Sequence, residues 1–272
     1  MALAVIAVVG FAAFMIWELT EEHPIVDIRV FRHRGFAFGT LTICLTFGAF
    51  FATAVLAPLW MQTSLGYTAS DAGFVMGMNG VLAVLVAPNV ARFMGRVDGR
   101  KMVFFGVMWL AAMVLWRSFY TTEVTMWQLA FPVLIQGIGM PFFFIPLTTI
   151  ALSAVEEEET ASAAGLFNFA RSLSGAFSVS IVTTLWQDDA AANHDQLVGH
   201  VDRFGTTLNT LMAGGMTHQQ ALVTLDNMLT QQSVMLATNH VFQILVIGLV
   251  AAAFSIWMAP KPSRETGNVG GH

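Results

Sequence analysis

Charged side chains are scarce in this sequence, making up 11% of its 272 residues, whereas a soluble domain carries roughly 25%. That scarcity excludes a water-soluble globule. Cysteine is nearly absent, and the single Cys44 lies in an apolar run, which rules out an internal disulfide or a cysteine-based metal site and leaves a packed or lipid-facing thiol. Basic residues are few as well. With 12 Lys and Arg against 17 Asp and Glu, the net charge is -5, and no basic patch exists to neutralise phosphates, so nucleic acid is not a partner. There is no H-E-x-x-H, no G-x-S-x-G, no Walker loop and no Rossmann fingerprint. The apolar N-terminus has neither a basic flank nor an A-x-A cleavage site, so a removable signal peptide is not expected.

What the chain does contain is oil. Hydrophobic residues reach 56%, with 23 Phe, 16 Met, 23 Gly and 7 Trp, a mixture suited to helices that pack closely in lipid and anchor at the headgroups. Long apolar windows occur at 1–17, 36–62, 72–91, 102–119, 126–151, 161–186 and 236–259, which predicts an all-α integral membrane protein with about seven transmembrane helices. The first window is at the lower limit for crossing the bilayer, so the chain is expected to continue upstream. The glycines and proline of Gln136–Pro141 lie inside a span and fit a kinked, closely packed helix rather than a phosphate loop.

Orientation follows from the arginines and lysines. Arg29, Arg32 and Arg34 fall in 18–35, Arg92, Arg96, Arg100 and Lys101 in 92–101, and Lys261 and Arg264 in the tail 260–272, while the alternate connections hold only Arg117 and Arg203. The positive-inside rule therefore predicts a cytoplasmic C-terminus. Glu156, Glu157, Glu158 and Glu159 read either as a solvated cap before a helix N-terminus or as a contact for the basic 92–101 loop. In the external polar stretch 187–235, Leu197, Val201, Phe204, Leu208 and Leu211 recur as one face of an amphipathic helix. Gly214-Gly215 ends it, and 219–232 can return as a second helix. His194, His200 and His218 have no metal-binding spacing and read as solvated.

Arg171 stands near the middle of the 161–186 window. A cation there costs several kcal/mol, about 2.5–3.5 on insertion scales, so it must face protein or a wet cavity. It is either a structural cation tied to polar groups or a contact for substrate and gating. Ala161, Gly165, Asn168, Ser172, Gly175 and Val179 make a small or polar stripe beside it, which either packs on another helix or lines a cavity. Asn79, Gln136, Asn239, His240 and Gln243 add polar groups in or near other spans. No Asp or Glu lies deep in a span, so a proton-carrying carboxylate within this chain would sit at a rim, as Asp71 does.

Several runs carry a resemblance. Asp27 to Phe36 (D-I-R-V-F-R-H-R-G-F), Phe144 to Ile150 (F-I-P-L-T-T-I), Asn168 to Gly175 (N-F-A-R-S-L-S-G) and Thr184-Leu185-Trp186 resemble the fourteen-helix drug:proton antiporters of the major facilitator superfamily, of the EmrB/QacA type. The resemblance implies that 1–17 is part of a linker helix and 18–35 a cytoplasmic amphipathic connection. Windows 36–186 and 236–259 are then the C-terminal six-helix half, and 187–235 is an external hairpin. It also implies a bacterial inner-membrane exporter of hydrophobic or amphipathic drug-like compounds, driven by the proton gradient without a cofactor. Its partners would be the lipid bilayer, an N-terminal half and a membrane-fusion adaptor protein.

In the loop of Arg96, Asp98, Gly99, Arg100 and Lys101, the run Gly99-Arg100-Lys101 resembles the end of the cytoplasmic motif G-x-x-x-D-R-x-G-R-K, while Arg92 and Arg96 occupy its glycine and acidic positions. Gln136-Gly137-x-Gly139 resembles R-x-x-Q-G-x-G with Val133 at the arginine position, and the G-P-x-x-G-G signature is missing from 161–186. These departures suit a C-terminal half. Candidate cavity or gating residues are Arg171, Asn168, Ser172, Gln136 and Asn79. The competing class, a membrane scaffold or an intramembrane enzyme, would need a reactive cluster that the sequence does not show.

Overall fold

The computed structural model describes residues 28–260 apart from 95 and 202–205, together with residues 9, 10, 13 and 17. The expected first span at 1–17 and the tail 261–272 therefore fall largely or wholly outside the described residues. Among the described residues seven α-helices follow one another: α1 (Arg34–Thr63), α2 (Ala69–Phe93), α3 (Gly99–Arg117), α4 (Met126–Leu152), α5 (Thr160–Val201), α6 (Thr206–Ala213) and α7 (His218–Ser255). No strand occurs among the described residues. The chain is a multi-pass membrane protein. α1 to α4, and α7 extended to Met258, are each long and apolar enough to cross a bilayer. α5 has 42 residues, but Asn168, Arg171 and its serines dilute its apolar character.

Local chemistry sets the helix starts. Thr68 with Asp71, Thr125 with Gln128 and Thr217 with Gln220 form capping boxes at the heads of α2, α4 and α7, each closing two backbone donors that lipid or its boundary would leave unpaired. Asp71 is thereby committed. Its Oδ2 accepts from both the Thr68 nitrogen and the Thr68 hydroxyl, at 3.0 and 2.7 Å, so this rim carboxylate serves as a helix cap. Inside the spans, Thr42 and Thr53 donate to the carbonyls of Phe38 and Ala49 at 2.7 Å, which hides their hydroxyls from lipid.

α4 packs on α2 and α3, while α1 packs on α5 and α7. The leading helix of each helix triplet thus lies against the second and third helices of the other, the pattern of an internal repeat. Glycine makes the tightest crossings. A Cβ on Gly137 would land on the carbonyl oxygen of Asn79, and one on Gly106 would fall 2.6 Å from the Phe143 nitrogen. Side-chain-free contact of this kind lets α4 approach α2 and α3 at backbone distance.

One structural finding revises the sequence reading of the external stretch. Of the expected helix from Leu197 to Leu211, α5 covers the part up to Val201 and α6 the part from Thr206, and 202–205 lie outside the described residues. The return helix is no separate element, because α7 runs without interruption from His218 into the last span. At 1.5 Å per residue α5 is about 63 Å long and α7 about 57 Å, so both project well beyond a hydrocarbon core of about 30 Å. Hydropathy falls at the membrane surface while the backbone hydrogen bonding continues, so an apolar window marks the lipid boundary and not the helix end.

Candidate substrate cavity

Two helices keep exposed faces. α2 buries only Ala72, Val75 and Val90, while Val84 and Leu85 are 73% and 65% exposed. On α5 the stripe of Ala161, Gly165, Asn168 and Ser172 is exposed too, with only Gly175 buried and Val179 half-buried.

Arg171 lies beside this stripe, half-buried. Its guanidinium carbon is 4.9 Å from the Phe47 ring centre and 5.7 Å from that of Phe144. Phe47 in turn lies 5.6 Å from Phe51 and 5.8 Å from Phe144, so α1 and α4 build an aromatic wall against the cation. A cavity of about 480 Å³ opens here, lined by Phe47, Phe51, Arg171, Ser172, Gly175, Ala176 and Val179. No carboxylate lies within ion-pair distance of Arg171 among the described residues. Asn168 turns its amide to the Ala164 carbonyl at 2.9 Å.

Gln136 and Asn79 belong to a different place. Gln136 is buried and accepts from Arg117 Nη1 at 3.4 Å. Asn79 lies at the α2–α4 crossing, its amide 3.8 Å from the Met140 sulfur and its Oδ1 buried without a partner. Arg117, assigned to an external connection by charge counting, is instead the last residue of α3 and 2% exposed, with its guanidinium carbon 4.9 Å from the Phe242 ring. Around it Trp60 stacks on Tyr120 at 6.0 Å, Tyr120 donates to the Gln128 carbonyl at 3.1 Å, and Asn239 donates to the Tyr120 carbonyl at 2.9 Å. Burial pushes the Tyr120 phenol up to about 12, against the opposing pull of the Arg117 charge.

The residues of the 96–101 motif loop divide as well. Asp98 caps α3 and grips Arg100 at 3.1 Å, while Arg100 donates to the Ala259 carbonyl at 3.0 Å and lies 5.7 Å from the Trp257 ring. Together they fasten the end of α7. Arg96 and Lys101 are exposed, and Gly99 packs on Ile150. In the glutamate run Glu156, Glu157 and Glu158 are exposed just before α5, while Glu159 holds Arg32 and His33, each at 3.0 Å, so it ties the 28–33 segment to the head of α5 and not the 92–101 loop. His194 lies 3.4 Å from Asp226, and His240 2.6 Å from Asp189, which clasps α5 to α7 outside the core. A larger cleft of about 600 Å³, at the α3–α4 turn, is lined by Trp116, Phe119, Trp127 and Phe131; it holds no charge and matches the aromatic girdle of a membrane surface.

The profile of the Major Facilitator Superfamily matches residues 1–179. The chain belongs to that superfamily. It is 35% identical, over 99% of its length and 54% of the relative's, to the Multidrug export protein EmrB of Escherichia coli (strain K12). It is 34% identical, with the same coverage, to the Fatty acid resistance protein FarB of Neisseria gonorrhoeae. A more distant relative, the Multidrug resistance protein Stp of Mycobacterium tuberculosis (strain ATCC 25618 / H37Rv), is 27% identical over 65% of this chain and 33% of its own. The chain thus spans about half the length of the first two. The superfamily explains the paired triplets, since its halves are built from inverted three-helix repeats.

Sequence reasoning missed Phe47 and Phe51 as the wall of the Arg171 cavity and Phe144 as the second ring against its cation. Phenylalanine is so common here that composition hides it, and only the α-helical offset between Phe47 and Phe51 hints at a shared face.

Proposed function

We propose that this chain is the C-terminal half of a proton-coupled exporter of hydrophobic or amphipathic compounds in a bacterial inner membrane, with its C-terminus in the cytoplasm. The observation that carries this reading is the Arg171 cavity: the cation, its aromatic wall and the exposed small-residue stripe of α5 form an open concave surface, on a chain that spans about half the length of its relatives. A second bundle laid on that face would close the cavity between two halves, where such transporters hold substrate near the midplane. The alternation of basic connections supports the orientation. The projecting ends of α5 and α7 are the candidate docking surface for an external adaptor protein.

Vesicles provide the test. Membranes carrying this chain together with its complementary half should expel a hydrophobic dye when a proton gradient is imposed, and an uncoupler should stop them. Dye expulsion by residues 1–272 alone would overturn the half-transporter reading, and no expulsion by the complete protein would overturn the exporter.

A further inference from the structure

Arg171 is eleven residues beyond Thr160, about 17 Å of helical rise, which sets it near the middle of a hydrocarbon core of about 30 Å. A cation at that depth requires compensation. The rings of Phe47 and Phe144, at 4.9 and 5.7 Å, compensate only partly, because a cation–π contact is weaker than a paired anion. No hydrogen-bond acceptor or carboxylate of the described chain adds to them. The guanidinium also stands at a cavity of about 480 Å³, within the usual range of ligand pockets, about 300–1,000 Å³.

The cavity lining decides what kind of anion fits. Phe47, Phe51, Ala176 and Val179 offer apolar surface, and Ser172 is the one polar neighbour with a hydroxyl. A small inorganic anion would leave that apolar surface unused. A dianion would bring one charge more than Arg171 can match, and an organic cation would meet like charge. We infer that Arg171 is the specificity-determining receptor for the carboxylate of an amphipathic anion whose apolar body lies along Phe47 and Phe51. The inference rests on the exporter reading and narrows its substrate class.

Three probes built on one apolar fluorophore, ending in a carboxylate, a primary amide or an amine, separate the cases in inside-out vesicles of the full-length transporter. With normal membrane levels, Arg171→Gln should raise the KM for the carboxylate about ten- to a hundredfold, the loss expected for a charge-assisted contact. The amide should change less than about twofold by the same reasoning, and Arg171→Lys should keep part of the carboxylate preference. Detergent-solubilised protein should show the same ranking by fluorescence polarisation, which reads binding without transport. An equal loss for all three probes would overturn the inference and assign Arg171 to the covering half or to structure. Equal handling of carboxylate and amide by the unaltered protein would also overturn it. Export of none of the three by that protein would instead sink the exporter reading.

Discussion

Arg117 and Arg171 are both helix-borne arginines faced by phenylalanine rings at 4.9 Å, with no carboxylate beside either among the described residues. Their surroundings differ in enclosure and in polar partners. Arg117 is sealed where α1, α3, α4 and α7 meet, hydrogen-bonded to Gln136 and roofed by the Trp60–Tyr120 stack. Arg171 stands at the edge of an open cavity on α5. A sealed charge can act only on the protein around it, through the folding free energy. An open one is free to act on something that arrives.

The largest expected effect tests that enclosure through the helix crossings beside each arginine. Gly137 follows Gln136, and a methyl there would strike the Asn79 carbonyl. Gly137→Ala should therefore force α2 and α4 apart and cost about 3 kcal/mol, at the upper end for overpacking. Gly165, on the open stripe, has nothing within 4 Å of such a methyl. Gly165→Ala should be neutral or stabilising by up to about 1 kcal/mol through helix propensity. Denaturant titration of the protein measures both, and equal damage would mean that the α5 face is packed and not a cavity wall.

A smaller loss follows from the hydrogen bond inside the sealed region. Gln136→Leu leaves the Arg117 guanidinium buried without its amide partner, at a cost of about 2 kcal/mol. Adding Arg117→Met should restore most of that, since removing both polar partners relieves the unpaired charge. If Gln136→Leu were neutral, Arg117 would have water or another acceptor, and its contrast with Arg171 would weaken.

The same enclosure predicts a response to alkali. The Tyr120 phenol ionises near 10 in an unfolded chain and at about 12 in the folded one. Between those values the unfolded state holds fewer protons, so stability should fall as pH rises from about 10 to 12 and be indifferent to this group below that window. Tyr120→Phe should remove this contribution, which thermal melts across the window would show. A phenol titrating at its ordinary value would mean that water reaches the Arg117 region.

How much of this could be read from sequence divides along the same line. Within the described residues each apolar stretch placed a helix, because lipid compels every backbone amide to bond within its own segment. Arg171 drew notice for the same reason, as a charge in the middle of oil. Gln136 and Asn79 were grouped with it because composition records that a polar group is in a span and not which way the helix is turned. That rotation is set by contacts such as Gly137 on Asn79 and Gly106 on Phe143, which join residues far apart in the chain. Arg117 escaped for a related reason: at the last turn of an apolar window, a sealed arginine and one reaching for water have the same sequence.

A third environment, paired and near the surface, gives the smallest effect and calibrates the other two. Glu159 joins Arg32 and His33 at 3.0 Å and its side chain is 15% exposed, while the Arg32 side chain is 58% exposed. Glu157 and Glu158 are exposed and enter no ion pair among the described residues. Glu159→Gln should thus cost about 0.5–1 kcal/mol and Glu157→Gln close to nothing, with the first effect shrinking as salt is raised. Melting of the two variants at low and high ionic strength measures this. If Glu157→Gln cost as much as Glu159→Gln, the net charge of the run would matter more than its partners. The inference drawn from partner geometry would then fail at the one site where those partners are most plainly in place.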